Sequence, residues 1–182
     1  LSPWSAPFGG FAFRDEGVTI ETIEECVTSL KQYASHVNCT LIQITIPPSI
    51  YDHQFITKLN YVLEFSSSNK IVDINYHFNL HDISINDRLN RNFKRNLKVG
   101  EKLGMQLHLC TSLIEKEKVY SVIEENRVSQ GYPLKMGFEQ LLTTSKIINI
   151  DFFLLQDNRE VYASAICYWV SEKIIQIIYW GD

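Results

Sequence analysis

Cationic side chains recur at helical spacing within residues 84–104, SINDRLNRNFKRNLKVGEKLG. Five of them share one face of the predicted helix: Arg88, Arg91, Arg95, Lys98 and Lys102. Residues 87–102 carry six Lys and Arg against Asp87 and Glu101, a net +4, whereas the rest of the chain carries −8. This basic face predicts binding of an anion, namely RNA phosphate, a nucleotide or an acidic substrate; the alternative is a solvated surface.

The opposite face of the same predicted helix is apolar. Its members recur at helical spacing: Ile85, Leu89, Phe93, Leu97, Gly100 and Leu103. Ser84, with Asp87 three residues on, predicts the start of the helix. We expect Phe93 and Leu97 to pack against the rest of the protein, which would leave Arg91, Arg95 and Lys98 free to bind a ligand.

A second candidate site is the sequence Gly131-Tyr132-Pro133, which separates two predicted helices. Binding residues concentrate in such loops. Tyr132 offers an apolar ring and a hydroxyl group, so it is a candidate substrate-binding residue. The alternative is that Gly131 and Pro133 simply end a helix.

The familiar catalytic motifs do not occur: the sequence has no G-x-S-x-G, no P-loop and no H-E-x-x-H. The pairs His77 with His81 and His108 with Cys110 each offer two metal ligands, whereas a zinc site requires three or four. No metal is therefore expected. No acid–base pair stands out either, so the catalytic residues remain unknown.

The composition is that of a globular protein, with 182 residues, 45% of them hydrophobic, and a net charge of −4. No run of about 18 apolar residues predicts a membrane span. The first residues lack both an initiator Met and the layout of a signal peptide, which predicts a cut N-terminus. Four cysteines without a C-x-x-C pair predict buried free thiols and a cytoplasmic protein.

Local patterns predict an α+β fold with mixed sheets flanked by helices. The predicted helices are residues 19–36, 52–65, 84–104, 112–130 and 137–148, and the predicted strands are residues 39–46, 71–80, 105–110, 150–156, 160–170 and 173–180. The last three strands are joined by short polar turns and should form an antiparallel meander. Within residues 71–80, Val72, Ile74, Tyr76 and Phe78 alternate with polar residues and should bury one face.

Several segments together resemble the FemAB-like branch of the GNAT acyltransferase superfamily. They are SAPFGGF, RLNRNFKRNLKVGEKLGMQLHLC, SQGYP, FFLLQDNREVYASAICYW and IIQIIYWGD. Proteins of this branch carry two GNAT-like domains in tandem. On this resemblance, residues 1–80 are the back half of a first domain, residues 81–104 are the connecting basic helix, and residues 105–182 are the front half of a second.

The resemblance implies transfer of an acyl or aminoacyl group to an amine, from acyl-CoA or aminoacyl-tRNA. The donor would lie along the strand at 173–180, with Ile177, Ile178, Tyr179 and Trp180 at the site and Tyr132 in the facing loop. The Gly-rich pyrophosphate turn that the family places after this strand does not occur before Asp182. Activity is therefore expected of a longer protein.

Two other functions remain open. The first is a non-catalytic α/β binding module whose basic helix holds a phosphate-bearing or acidic partner, although a net charge of −4 is unusual for a nucleic-acid-binding domain. The second is a degenerate acyltransferase fold that serves as an interaction surface. A pocket beside the last strand would favour the enzyme, whereas a flat basic face would favour the binding module.

Overall fold

The protein is α+β, with five helices and four strands among the described residues of this computed structural model, which are 8–14, 17–66, 69–80 and 89–182. The helices are α1 (Ile20–His36), α2 (His53–Ser66), α3 (Arg91–Lys102), α4 (Leu113–Ser129) and α5 (Phe138–Thr144), and the strands are β1 (Gln106–Leu109), β2 (Ile150–Gln156), β3 (Val161–Ser171) and β4 (Ile174–Gly181). Two compact units divide between His77 and Phe78.

The first unit is built on α1 and α2. Its apolar core contains Val18, Ile23, Val27, Leu59 and Val62. Both helices begin where their capping residues predict. The Thr19 hydroxyl accepts a hydrogen bond from the N–H of Thr22, and the Asp52 carboxylate accepts one from the N–H of Phe55 at 2.9 Å.

The sequence-based predictions of strands at residues 39–46 and 71–80 are wrong. Neither 39–46 nor 71–80 is a strand, although the N–H of Gly9 donates to the carbonyl of Thr45 at 2.8 Å. The side chains of Val72, Ile74, Tyr76 and Phe78, expected to be buried, are 74–89% exposed. Alternation buries a face only where a neighbouring strand supports it, and no strand among the described residues pairs with either segment.

The second unit contains one antiparallel sheet in the order β1-β2-β3-β4, rather than the expected mixed sheet. The predicted meander of β2, β3 and β4 is confirmed. Its first turn forms because the Asp157 carboxylate accepts hydrogen bonds from the N–H groups of Arg159 and Glu160. β1 reaches β2 only after α4 and α5, and it pairs in the register Leu107 to Leu155.

α4 packs against the sheet and closes the main core. Buried members of this core include Val119, Ile123, Leu141, Phe152, Leu154 and Ile166. The predicted capping box at Ser112 and Glu115 is confirmed, because each side chain bonds the backbone N–H of the other. α5 is shorter than predicted: after Thr144 the N–H groups of Lys146 and Ile147 bond carbonyls only three residues back, which makes a turn.

The basic helix α3 begins at Arg91, where the Asn90 side chain accepts a hydrogen bond from the N–H of Phe93 at 2.8 Å. Its predicted beginning at Ser84, together with Ile85, Asp87 and Arg88, lies outside the described residues. The predicted helix is wrong at Leu89 and Asn90, which are described and not helical, because Asn90 caps the helix with an extended backbone. The expected packing of Phe93 and Leu97 is wrong, since their side chains are 55% and 46% exposed. An apolar stripe is buried only when another element covers it, and α3 contains no buried residue.

Candidate functional site

The last strand, β4, combines a free edge with a β-bulge. Ile166 of β3 pairs with Tyr179 and the next residue, Cys167, pairs with Ile177, so Ile178 is an extra residue in β4. In the order β1-β2-β3-β4, the other edge of β4 faces no strand of the described sheet. A bulge interrupts the ladder of hydrogen bonds, and an edge strand presents unpaired N–H and C=O groups. β4 therefore has backbone donors available to a ligand.

The four residues that the sequence analysis assigned to an acyl site differ in burial, and the bulge accounts for the difference. Ile178 and Tyr179 are consecutive, yet both pack against the main core. Ile177 and Trp180 are instead 57% and 60% exposed. In a regular strand consecutive side chains point to opposite faces, so the extra residue accounts for the shared direction of Ile178 and Tyr179.

The C-terminal half of α4 packs closely against the end of β4. A Cβ added to Gly181 would lie 2.9 Å from the Cα of Ile123 and 3.0 Å from the Cβ of Asn126. The Asn126 side-chain amide donates to the backbone carbonyl of Asp182 at 2.7 Å. The position of β4 relative to α4 is thus fixed by both packing and a hydrogen bond.

Arg127 contacts both candidate sites of the sequence analysis, namely the end of β4 and the Tyr132 loop. Its guanidinium carbon lies 5.7 Å from the centre of the Trp180 ring, and its carbonyl accepts the N–H of Tyr132 at 2.9 Å. Gly131, with φ of +79°, makes this turn, so Gly131 does end the helix as the alternative interpretation proposed. The Tyr132 side chain is 71% exposed. Arg127 Nε is enclosed and has no hydrogen-bond partner among the described residues.

Three tyrosine side chains contribute to the main core: Tyr120 and Tyr168 are buried in it, and Tyr179 of β4 packs against it. Burial raises the pKa of Tyr120, raises that of Tyr168 to about 12, and raises that of Tyr179, where the charge of Arg127 partly opposes the effect. The Tyr120 hydroxyl donates to the carbonyl of Met136 at 3.2 Å. Phenols with raised pKa values stay protonated at neutral pH, so they can donate hydrogen bonds but do not act as bases.

The basic face of α3 is exposed along its whole length. It presents Arg91, Lys94, Arg95, Lys98 and Lys102. Ion pairs among the described residues include Lys70 with Glu64 and, when the imidazole is protonated, His108 with Glu115, and neither includes a residue of α3. Arg91, Arg95 and Lys98 are therefore brought together on one face, as predicted, with their charges directed to solvent.

In the described part of the chain, no three His, Cys, Asp or Glu converge as possible metal ligands. His108 Nε2 instead lies 3.0 Å from Glu115 Oε1. His77 lies in the exposed segment 71–80, and His81 lies outside the described residues. All four cysteines are free thiols, as predicted, but only Cys110 and Cys167 are buried. Cys26 is half-buried on α1, and Cys39 is exposed because the predicted strand around it does not form.

Within the described ranges, no helix has both the length and the apolar character needed to cross a bilayer. No family model, curated protein or solved structure matches this chain. The sequence analysis named Tyr132 and the end of β4 as candidates but not Arg127 and Asn126, which the structure places beside them. The available signal was their position in the last turn of a predicted helix, directly before Gly131-Tyr132-Pro133.

Proposed function

We propose that this chain is part of an N-acyltransferase resembling the FemAB-like GNAT branch, and that β4 binds the acyl donor. The observation that carries the proposal is the β-bulge at Ile178 on the edge strand of the sheet. Bulges are frequent beside active sites, because they interrupt pairing and redirect backbone groups. The element order after α3, which is β1-α4-α5-β2-β3-β4, also agrees with the front half of the domain that the resemblance implies.

In the proposed reaction, an acyl or aminoacyl group passes from acyl-CoA or aminoacyl-tRNA to the amine of a small molecule or peptide. The amine nitrogen attacks the acyl carbon, a C–N bond forms, and the bond from that carbon to the thiol sulfur or ribose oxygen breaks. The amine releases a proton to water, and the leaving group takes one up. The tetrahedral intermediate carries an oxyanion, which backbone N–H groups at the bulge would stabilise.

The donor arm would add to the free edge of β4 as an extended chain held by main-chain hydrogen bonds. Ile177 and Trp180, whose side chains are exposed on this strand, would border it, and Tyr132 would lie on the acceptor side. Tyr179 would serve as a donor rather than a base, because burial raises its pKa. The proposal places this reaction in the cytoplasm, where both donors occur.

The test is an amide chemical-shift titration of the 182-residue chain with acetyl-CoA, and with CoA alone to separate the acyl group from its carrier. We expect shifts at Ile177–Trp180. Deletion of Ile178 would restore regular pairing with β3 and should abolish them, whereas the control Ile178→Val keeps the extra residue and should preserve them. Shifts confined to Arg91–Lys98, with none on β4, would contradict the proposal.

A second candidate function is a binding module that uses α3 to hold RNA or another phosphate-bearing partner. The specific observation is the exposed row of five cations described above, without an ion pair among the described residues. Cationic rows of this kind attract polyanions and release counterions on binding. This function needs no group from β4.

A further inference from the structure

We infer that Arg127 and Trp180 form a binding site for a carboxylate carried on a small apolar or peptide body. Among the described residues Arg127 Nε is enclosed and has no hydrogen-bond partner, so this nitrogen of the guanidinium is removed from water without a compensating acceptor. Buried polar groups are nearly always hydrogen-bonded, and an exception calls for a physical cause. A ligand anion at the outer nitrogens of this half-buried side chain would balance its charge.

The site is preorganised by the elements around it. The guanidinium carbon lies 5.7 Å from the centre of the Trp180 ring, which holds the cation over an aromatic face. Asn126 binds the carbonyl of Asp182, and Gly181 packs directly on α4, so the ring and the guanidinium keep their relative position. The Trp180 side chain remains 60% exposed, which leaves apolar surface for the body of the ligand.

The surrounding charges favour a carboxylate over a phosphate. Arg127 lies in the last turn of α4, where helix carbonyl groups carry partial negative charge. Asp182 adds a carboxylate, whose Oδ1 lies 3.4 Å from the Asn126 amide nitrogen. One guanidinium fork matches a monoanionic carboxylate, whereas a dianionic phosphate would be repelled more strongly by these negative charges.

The inference rests on the proposed function only in calling this ligand the acceptor: an amine that also bears a carboxylate, such as an amino acid or a peptide. Arg127 lies at the end of β4 and directly before the Tyr132 loop, so its ligand would lie next to a donor on β4. Arg127 is then a specificity residue that selects acidic acceptors.

The experiment compares N-acetylglycine with N-acetylglycinamide on the 182-residue chain, with the Trp180 indole N–H resonance as the readout, assigned with Trp180→Phe. Neither probe has a free amine, so the measurement does not depend on acyl transfer. We expect saturable shifts with the acid and binding at least about tenfold weaker with the amide. Arg127→Gln should remove this preference, Arg127→Lys should retain part of it, and the control Arg159→Gln should leave it unchanged.

Equal binding of acid and amide by the unmodified chain, or no saturable shift, would overturn the inference without reference to any variant. Tighter binding of inorganic phosphate than of N-acetylglycine would overturn the carboxylate assignment. Acid-selective binding without any acetyl-CoA shift on β4 would support the carboxylate site and contradict the acyltransferase proposal. Acetyl-CoA shifts on β4 without acid-selective binding would support the acyltransferase proposal and contradict the carboxylate site.

Discussion

Gly181 and Ile123 approach so closely that a Cβ on Gly181 would lie 2.9 Å from the Ile123 Cα. We expect Gly181→Ala to destabilise the protein by about 1–3 kcal/mol, because the closest obstructing atom, the Ile123 Cα, is backbone and cannot rotate away. Urea denaturation measures the change. The control is Gly100→Ala in α3, where the new Cβ has ordinary contact with Met105 and better helix propensity should make the change neutral or stabilising. A neutral Gly181→Ala would contradict the close crossing.

Leu141 and Leu97 allow the same substitution to be compared in two environments. Leu141 is fully buried in the main core, whereas Leu97 is 46% exposed. Leu141→Ala should cost about 2–5 kcal/mol of unfolding free energy, through lost burial and a cavity. Leu97→Ala should cost less than about 1 kcal/mol. A core-sized cost at Leu97 would mean that another surface covers α3 in solution.

Glu115 predicts a pH dependence of stability. Hydrogen bonds from Ser112, first its hydroxyl and then its N–H, lower the Glu115 pKa from 4.5 to about 2, and His108 contributes further. A depressed carboxyl pKa stabilises the fold fully above the unfolded value, and this contribution is lost as the pH falls. The advantage of the unmodified chain over Glu115→Gln should therefore be constant above pH 4.5 and shrink towards pH 2.

The measurement for Glu115 is the carboxyl carbon titration, together with urea unfolding at several pH values. Glu117→Gln is the control, because Glu117 lies on the same helix and makes none of the capping-box hydrogen bonds. A Glu115 midpoint near 4.5 would show that the capping box does not hold this carboxylate.

Removal of charge from α3 separates binding from stability. The triple variant Arg91→Gln, Arg95→Gln, Lys98→Gln should melt within a few degrees of the unmodified chain, because exposed charges contribute little to folding. If α3 holds RNA, the affinity of the unmodified chain for a short RNA should fall steeply with salt, and the variant should lose it. RNA binding by the variant equal to that of the unmodified chain would leave the basic face as a solvated surface.

The starts of α2 and α4 could be predicted because their causes are local, whereas the Asn90 cap of α3 was not predicted. Ser112 with Glu115, and Asp52 with the N–H of Phe55, act over three residues, so the sequence contains both partners of each hydrogen bond. Residues 71–80 show the limit of this reasoning. Their alternation resembles that of a half-buried strand, but a strand requires a neighbour, and sequence alternation does not say whether one exists.

The candidate site likewise has some features with local causes and others that depend on tertiary structure. The turn at Gly131 and the strand β4, which carry the candidate residues Tyr132 and Trp180, could be predicted from a helix-breaking sequence and an apolar run. The bulge at Ile178 depends on the pairing of β3 with β4, and the contact of Arg127 with Trp180 depends on where α4 crosses the sheet. Both are properties of tertiary register, which local patterns do not encode.

The long path from β1 to β2 has a consequence for the order of folding. β2, β3 and β4 are joined by short turns, so their pairing closes only small loops, whereas β1 pairs with β2 across residues 110–149. Closing the longer loop costs more chain entropy, and contacts that are distant in sequence form more slowly. We expect the meander to assemble first as the folding nucleus. The strand that comes first along the chain would then be the last to join the sheet.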